Sequence, residues 1–225
     1  MSRFKTAIIV AGGKGGRMNA AIPKQFIEVQ GRPILMHTLA VFRQYDPEIK
    51  LLVVLPSDQI KFWEKLCKKH AFDLMHQIIP GGQTRFESVK NALETMQLPS
   101  WVAVHDGVRP LVSVETIARC FDAAQKHGAV IPVVDLVDSL RQITGNGNQS
   151  VDRTAFKLVQ TPQVFDFETL KKAYEQDFSP LFTDDASVVE SLGTTIHLVE
   201  GNRENIKITT QGDLKLADLL LANNK

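Results

Sequence analysis

Residues 6–25 read TAIIVAGGKGGRMNAAIPKQ, and this stretch is the strongest indication of the fold class. Its first five residues, 6–10, form a continuous apolar run rich in β-branched side chains, which is typical of a strand buried on both faces. Glycines follow at once, and then three cations, Lys14, Arg17 and Lys24, with no acidic residue among them. A buried strand that runs into a cationic, glycine-rich loop predicts that the loop holds an anion at the edge of a sheet.

Strand-like and helix-like segments alternate along the rest of the chain. We expect further strands at 50–56, 77–80, 101–106, 129–134 and 195–201, and helices at 33–44, 57–70, 84–96, 113–127, 183–193 and 211–222. This alternation indicates an α/β protein with a Rossmann-like, three-layer fold and a mostly parallel sheet. Ligands bind beyond the carboxyl ends of such strands, so the glycine-rich loop and HDGVRP at 105–110 should share one site.

One segment interrupts this alternation. Residues 136–160 contain Asn146-Gly147, a strong hairpin-turn signal, between two strand-like runs. We therefore expect residues 136–156 to project as a β-hairpin arm; a flap that covers the same subunit is the alternative. Apart from this arm, a chain of 225 residues is predicted to form a single domain over residues 1–225.

Composition and charge limit the classes of function. The formal net charge of +1 gives no overall reason to bind nucleic acid or an anionic membrane, and no apolar run is long enough to span a bilayer. Cys67 and Cys120 have neither the spacing of a zinc site nor the number expected of a disulfide framework. We therefore expect a cytoplasmic protein with ordinary thiols.

The glycine-rich loop fails two common nucleotide-binding templates. A P-loop requires lysine and then serine or threonine after its last glycine, but Arg17 and Met18 follow Gly16. The dinucleotide-binding motif requires a glycine where Met18 stands. What remains is a turn whose backbone can lie against a base or phosphates, with cations nearby; a tight turn with solvated cations stays the alternative.

The spacing of the loop resembles a known signature. It resembles nucleotidyltransferases that join a nucleoside triphosphate to a sugar or polyol phosphate, and the residues that carry this resemblance are Gly12, Gly13, Gly15, Arg17, Met18, Pro23, Lys24 and Gln25. Further segments narrow it to the 2-C-methyl-D-erythritol 4-phosphate cytidylyltransferase family: GGQTRFESV (81–89), HDGVRP (105–110), DS (138–139), VDR (151–153), QTPQVF (160–165), TDDAS (183–187) and EGNRENIKIT (200–209). The resemblance spans about residues 6 to 220.

The resemblance implies a reaction and its residues. CTP and methylerythritol phosphate would give the diphosphocytidyl product and pyrophosphate, in non-mevalonate isoprenoid biosynthesis. The implied catalytic residues are Arg17, Lys24, Arg153 and Lys207. The implied nucleotide-binding residues are Ala11, Gly12, Gly13, Gly15, Gly81, Gly82, Ser88, Asp106 and Gly107. The implied substrate-binding residues are Asp106, Arg109, Ser139, Arg153, Thr161, Thr183 and Lys207.

The resemblance also implies a cofactor and a partner. Asp106 would contact Mg²⁺, or another divalent cation, together with CTP phosphates; one carboxylate plus phosphates is typical of magnesium. The arm would cross to a second subunit, so the protein would be a homodimer. Two residues have additional readings: Thr183 also looks like the N-cap of its helix, and His105 is predicted to be a packed strand-end residue rather than a ligand.

Two alternative functions stay open from the sequence. A ribitol-5-phosphate cytidylyltransferase would use the same fold and chemistry, but those enzymes tend to have an asparagine-containing segment before QTPQ, where this chain has Asp152-Arg153-Thr154. A non-catalytic nucleotide-binding sensor would not need the full set of four catalytic cations.

Overall fold

The computed structural model describes residues 3–12 and 22–223. Gly13, Gly15 and Arg17 therefore lie outside the described residues. Within the described part, the strands are β1 (Phe4–Val10), β2 (Glu28–Val29), β3 (Arg32–Pro33), β4 (Lys50–Leu55), β5 (Gln77–Pro80), β6 (Ser100–Asp106), β7 (Ala129–Asp135), β8 (Leu140–Thr144), β9 (Gly147–Val151), β10 (Lys157–Val159), β11 (Gln163–Asp166) and β12 (His197–Glu200). The α-helices are α1 (Ile34–Tyr45), α2 (Ser57–Lys69), α3 (Arg85–Glu94), α4 (Val114–His127), α5 (Phe167–Ala173), α6 (Asp185–Glu190) and α7 (Gln211–Asn223).

One mixed sheet organises the molecule. Its hydrogen-bonded order is β10-β7-β11-β6-β1-β4-β5, and β12 also pairs with β7. β1 is parallel to both β4 and β6, and β4 is parallel to β5. β11 runs antiparallel between β6 and β7. The predicted α/β fold with a mostly parallel sheet is confirmed, and the antiparallel insertion of β11 is the feature that the strand pattern did not predict.

The core lies on both faces of the sheet. Alternate residues of β1 point to opposite sides: Ala7 and Ile9 pack in a cluster with α1 and α4, whereas Ile8 packs in a second cluster with α3 and α5. Helices therefore cover both faces, which explains why the strand reads as a continuous apolar run rather than an alternating one. This is the three-layer arrangement that the sequence predicts.

β8 and β9 form a separate two-stranded hairpin at the predicted position of the arm. They pair in antiparallel register from Leu140 opposite Val151 to Thr144 opposite Gly147. Residues 141–150 are all exposed, including the side chain of Ile143, of which 79% is accessible. The hairpin therefore projects from the sheet, as the Asn146-Gly147 signal predicts.

The prediction that Thr183 caps its helix is wrong. α6 begins at Asp185, and the N-cap is Asp184, whose carboxylate accepts a hydrogen bond from the Ser187 backbone N–H. The Ser187 hydroxyl oxygen accepts one from the Asp184 backbone N–H in return. This reciprocal pair requires a spacing of three residues, which Asp184 satisfies and Thr183 does not. Thr183 lies one residue before the cap.

Candidate active site

A cleft at the carboxyl ends of β1, β4 and β6 gathers most of the predicted nucleotide-binding residues that the structure describes. Three loops leave the sheet here, and their first backbone groups continue the pairing of the strands. Ala11 N–H donates to Val54 O at 2.9 Å, Gly81 N–H to Leu55 O at 2.8 Å, and Gly107 N–H to Val10 O at 2.9 Å. The predicted site residues that line the cleft are Ala11, Gly12, Lys24, Gly81, Gly82, Ser88, Asp106 and Lys207.

Gly107 and Ala11 show how closely these loops approach one another. A Cβ at Gly107 would lie 2.9 Å from the Cβ of Ala11, a separation that real side chains do not adopt. Glycine at position 107 therefore allows the loop after β6 to pack on the loop after β1. Both loops end up at one edge of the sheet, as the sequence predicts.

The loop at 81–84 is fixed against the N-terminus of α3. Thr84 and Glu87 form a capping box, in which Glu87 Oε2 accepts from the backbone N–H groups of Gln83 at 2.6 Å and Thr84 at 3.0 Å. Ser88 Oγ accepts from Gly82 N–H at 3.2 Å and donates to Thr84 O at 2.8 Å. Ser88 thus faces the cleft while its hydroxyl also holds the loop, so its predicted contact with the base stays a prediction.

Asp106 is the electrostatic centre of the cleft. Its Oδ2 lies 3.0 Å from Arg109 Nε and 3.1 Å from Lys207 Nζ, and its Oδ1 lies 4.0 Å from Arg85 Nε. Burial alone would raise the pKa of the Asp106 carboxyl, but the charges of Lys207, Arg85 and Arg109 hold it well below its usual range. The carboxylate is therefore ionised at neutral pH.

Arg85 lines the cleft, and the sequence reasoning missed both Arg85 and the buried Asp185 that holds it. Arg85 Nη1 and Nη2 donate to the two carboxylate oxygens of Asp185 at 2.9 and 2.6 Å. Asp185 is fully buried and also accepts from the Tyr174 hydroxyl at 2.6 Å. Burial and this carboxylate raise the pKa of Tyr174 well above its ordinary value. Arg85 stands inside GGQTRFESV, so the signal was present but its buried partner, 100 residues away, could not be read.

His105 packs inside the protein, as predicted. Its Nε2 lies 3.1 Å from the carbonyl oxygen of Arg109, and its Nδ1 lies 2.9 Å from the hydroxyl of Thr161. Burial disfavours the charged ring and lowers the pKa of His105 to about 4. At neutral pH the ring is uncharged, so the Nε2–H donates to Arg109 O while Nδ1 accepts from Thr161.

Some predicted site residues do not line the cleft within this chain. Arg153 lies at the base of the arm, where its guanidinium donates to the carbonyl oxygen of Val137. Ser139 is exposed in the segment before β8. Thr161 is only 5% exposed, and its hydroxyl also accepts from Asp106 N–H at 3.2 Å. The roles of these residues, like that of Thr183, stay predictions.

Neither a metal-binding cluster nor a membrane-spanning helix is found in the part of the chain that the structure describes. Residues 3–12 and 22–223 contain no group of three or more His, Cys, Asp or Glu side chains that could hold a metal ion by themselves. Over the same residues, none of the helices has the length and apolar character needed to cross a bilayer.

Comparison with curated proteins gives relatives of nearly equal length. The chain is 57% identical over 217 residues to the 2-C-methyl-D-erythritol 4-phosphate cytidylyltransferase of Bacteroides thetaiotaomicron, an alignment that covers 96% of this chain and 99% of the relative. It is 48% identical over 225 residues to the protein of the same name from Porphyromonas gingivalis, with 99% and 100% covered.

Solved structures agree with these relatives. The crystal structure of 2-C-methyl-D-erythritol 4-phosphate cytidylyltransferase from Thermus thermophilus matches with a TM-score of 0.78 and 36% identity, covering 99% of this chain and 100% of that one. The 4-diphosphocytidyl-2C-methyl-D-erythritol synthase of Anaerococcus prevotii matches with a TM-score of 0.83 and 31% identity, covering 98% and 96%. A sequence model of the family described as IspD, 2-C-methyl-D-erythritol 4-phosphate cytidylyltransferase, matches residues 5–223. The chain therefore belongs to the 2-C-methyl-D-erythritol 4-phosphate cytidylyltransferase family.

Proposed function

We propose that the cleft performs the reaction of this family, transfer of the cytidylyl group of CTP to the phosphate of 2-C-methyl-D-erythritol 4-phosphate. The observation that carries this proposal is the family match over residues 5–223 on a chain whose matching motifs meet at one edge of the sheet. The family match favours this polyol phosphate over the ribitol phosphate that the sequence alone left open. It also favours an enzyme over a nucleotide-binding sensor.

The chemistry requires positioning and charge neutralisation rather than a side-chain base. A phosphate oxygen of the polyol phosphate attacks the α-phosphorus of CTP and forms a new P–O bond. The bond from the α-phosphorus to the bridging oxygen of the β-phosphate breaks, and pyrophosphate leaves with that electron pair. The attacking oxygen is already anionic, so no proton has to be removed from it. Cations must offset the charge of the two phosphate groups and of the transition state.

Two of the proposed catalytic cations, Lys24 and Lys207, line the same cleft as Asp106. Lys24 lines the cleft beside Gly82 and Asp106, and we assign it, together with Arg17, to the triphosphate and the transition state. Lys207 lies at 3.1 Å from Asp106 in this structure, and we assign it to the phosphate of the polyol substrate. A bound anion would compete with Asp106 for Lys207, so the lysine can move from one carboxylate to a phosphate within the same cleft.

A divalent cation fits the cleft only in combination with the nucleotide. Among the described residues that line the cleft, Asp106 supplies the one carboxylate, and the described residues contain no group of three or more His, Cys, Asp or Glu side chains that could hold a metal ion. Magnesium commonly binds one carboxylate plus phosphate oxygens and water, so the donor set is compatible with it. Asp106 Oδ1, which faces Arg85 at 4.0 Å, would be the protein ligand. When bound, the cation would add charge neutralisation at the CTP phosphates.

We assign base and polyol recognition to the two sides of the cleft. The backbone at Gly81 and Gly82, together with Ser88, forms the wall on which we place the cytosine. Asp106 and Arg109 supply charged contacts near the ribose and the polyol, while Ser139, Thr161 and Thr183 are the hydroxyl-bearing candidates for the polyol. Hydrogen-bonding groups of this kind separate substrates more strongly than apolar contacts do.

The arm supports a homodimer in which each subunit completes the cleft of the other. Arg153 lies at the base of the exposed hairpin and does not line the cleft of its own chain. Its proposed role at the substrate phosphate therefore requires the arm to reach a second subunit. We also propose a cytoplasmic location, which the free thiols of Cys67 and Cys120 support.

Pyrophosphate release is the direct test of the proposed function. The protein is incubated with magnesium, CTP and either methylerythritol phosphate or ribitol phosphate, and pyrophosphate is measured by a coupled assay. Release with methylerythritol phosphate, and a much lower rate with ribitol phosphate, is the expected result. Preference for ribitol phosphate would contradict the assigned substrate, and no release with either, from folded protein, would contradict catalysis.

A further inference from the structure

The segment 160–163 joins β10 to β11 and buries three polar side chains. Gln163 is 0% exposed, and Gln160 and Thr161 are each 5% exposed. Each of these side chains bonds to a different loop at the edge of the cleft. We propose that Gln160, Thr161 and Gln163 are positioning residues, each of which fixes one loop that presents substrate contacts. This inference rests on the proposed function, because the substrate roles of Thr183, Asp106 and Lys207 belong to it.

Gln163 holds the turn that contains Thr183. Its Nε2 donates to Asp184 Oδ2 at 2.8 Å, and its Oε1 accepts from the Ala186 backbone N–H at 2.8 Å. Asp184 directly follows Thr183 and is the N-cap of α6. Both ends of one buried amide are thus used to fix the first turn of this helix. Loss of either bond leaves a buried polar group unpaired, which costs about 1–3 kcal/mol.

Gln160 holds the loop that leads to Lys207. Its Nε2 donates to Asn202 O at 2.9 Å and lies 3.4 Å from Asn205 O. A Cβ at Gly201 would overlap Gln160 Oε1, so glycine at position 201 makes room for this amide. Asn205 returns a bond from its Nδ2 to the carbonyl oxygen of Thr161 at 2.8 Å. Hydrogen bonds at Asn202 and at Asn205 therefore join this loop to the 160–163 segment. Asn205 lies two residues before Lys207.

Thr161 holds the start of the loop after β6. Its hydroxyl accepts from Asp106 N–H at 3.2 Å and lies 2.9 Å from His105 Nδ1, the acceptor in the neutral ring. The hydroxyl thus accepts one hydrogen bond and donates another within the protein, and the bond that it accepts fixes the backbone of Asp106. This positioning role is additional to the polyol contact that the family resemblance implies for Thr161, because the hydroxyl oxygen keeps a second lone pair.

The three sets of bonds have one consequence for catalysis. Loops that carry Thr183, Lys207 and Asp106 come from distant parts of the chain, and the segment fixes their separation. Displacement of one of these loops should weaken the binding of the substrate that its residues are proposed to contact. Perturbing Gln163 should therefore act on the polyol substrate through the Thr183 turn and leave the base wall at Gly81 and Gly82 unchanged.

A swap of hydrogen-bond polarity tests the role of Gln163. Gln163→Glu places two acceptors against each other, since the introduced carboxylate would face the carboxylate of Asp184. Asp184→Asn places two donors against each other, because the introduced amide must keep its oxygen on Ser187 N–H and so turns its nitrogen towards Gln163 Nε2. The double variant restores one donor and one acceptor and also keeps the cap. Each protein is assayed for the KM of both substrates, kcat and the melting temperature.

We expect each single variant to raise the KM for methylerythritol phosphate by about tenfold, which equals about 1.4 kcal/mol. The KM for CTP should stay within about twofold, because uniform binding of only one substrate is lost. The double variant should return the KM to within about threefold of the unaltered protein, as expected for a coupled pair. If Gln163→Glu fails to fold, Asp184→Asn and the double variant give the same comparison.

Two results would overturn the inference. Equal increases in both KM values would show that Gln163 affects folding in general, and a double variant as impaired as the sum of the singles would show that the pair is not coupled. Inactivity of the unaltered protein with methylerythritol phosphate would instead contradict the proposed function. An active protein whose Gln163 variants match it in all constants would contradict the positioning role alone.

Discussion

At the scale of single residues, Lys24 is the cation, among the residues that the structure describes, on which the proposed chemistry depends most. It lines the cleft with Asp106 and Gly82. Removal of one well-placed charge from a phosphoryl-transfer site lowers kcat by about 100- to 1,000-fold. We predict this loss for Lys24→Ala, measured as pyrophosphate release at saturating CTP and methylerythritol phosphate. Lys61→Ala, on the exposed face of α2, is the matched control and should retain full activity.

His105 predicts a pH dependence of stability. Its folded-state pKa of about 4 lies below the ordinary value of 6.5, so between these values the unfolded chain binds a proton that the folded protein excludes. The free energy of unfolding therefore falls as pH decreases through this window. His105 alone accounts for a fall of about 2 kcal/mol between about pH 7 and pH 5.

The variant His105→Gln isolates this contribution. An uncharged amide can accept from Thr161 and donate to Arg109 O without titrating. We predict that its free energy of unfolding, measured in urea, falls by about 2 kcal/mol less than that of the unaltered protein over the same pH range. His127→Gln, which removes an exposed histidine, is the control. Equal pH slopes for His105→Gln and the unaltered protein would contradict the assignment.

At the scale of elements, the contact between the 81–84 loop and α3 predicts the effect of a single methyl group. A Cβ at Gly82 would overlap Glu87, whose carboxylate caps the helix. We predict that Gly82→Ala lowers the free energy of unfolding by about 1–3 kcal/mol, as overpacking does, and weakens CTP binding in calorimetry. Gly212→Ala, in α7, is the control, because a Cβ there would meet only Thr210 Oγ1 at 3.6 Å. This substitution should lower neither the free energy of unfolding nor the affinity for CTP.

The elements also show how far the sequence could predict this protein. Apolar runs bounded by turn residues located β1, β4, β6 and β7, because strands buried on both faces leave a continuous apolar pattern. The edge strand β5 was located by the short apolar run of QIIP alone. β11 was missed because QVFD has a polar residue at each end and so lacks a continuous apolar run. The short β10 and α5 were missed because neither is long enough to show a period.

The residues of the site likewise fall into those that the sequence could place and those that it could not. Residues in loops that directly follow predicted strands, such as Gly81 and Asp106, could be placed in the cleft because parallel strands end at a common edge. The partnership of Arg85 with Asp185 depends on a tertiary contact that no local pattern encodes. The roles of Gln160 and Gln163 were hidden for the same reason, although QTPQ itself was visible as a motif.

At the scale of the whole molecule, the proposed dimer predicts complementation between inactive variants. If Arg153 completes the cleft of the other subunit, a heterodimer of Lys24→Ala and Arg153→Ala subunits contains one intact site. Equimolar mixing with subunit exchange should then restore about a quarter of the activity, since about half of the dimers are mixed. The measurement is pyrophosphate release before and after exchange.

The control is each variant incubated alone, which should remain inactive. A mixture that stays inactive despite exchange, confirmed by mass spectrometry of intact dimers, would place Arg153 in the cleft of its own chain or outside the reaction. Either result also distinguishes the arm from a flap over its own subunit, the alternative that the hairpin pattern left open.

The central position of β6 also bears on the order of folding. Its pairing with β1, from Phe4 opposite Ser100 to Val10 opposite Asp106, closes a longer loop than the 55 residues that separate Thr161 from Asp106. Closing long loops is slow because chain entropy must be lost before the contacts form. Both parts of the cleft depend on this pairing, so competence to bind nucleotide and competence to bind the polyol phosphate should be acquired together during refolding. Stopped-flow mixing with a fluorescent CTP analogue should show nucleotide binding and activity recovering at the same rate, whereas nucleotide binding well before activity would contradict this expectation.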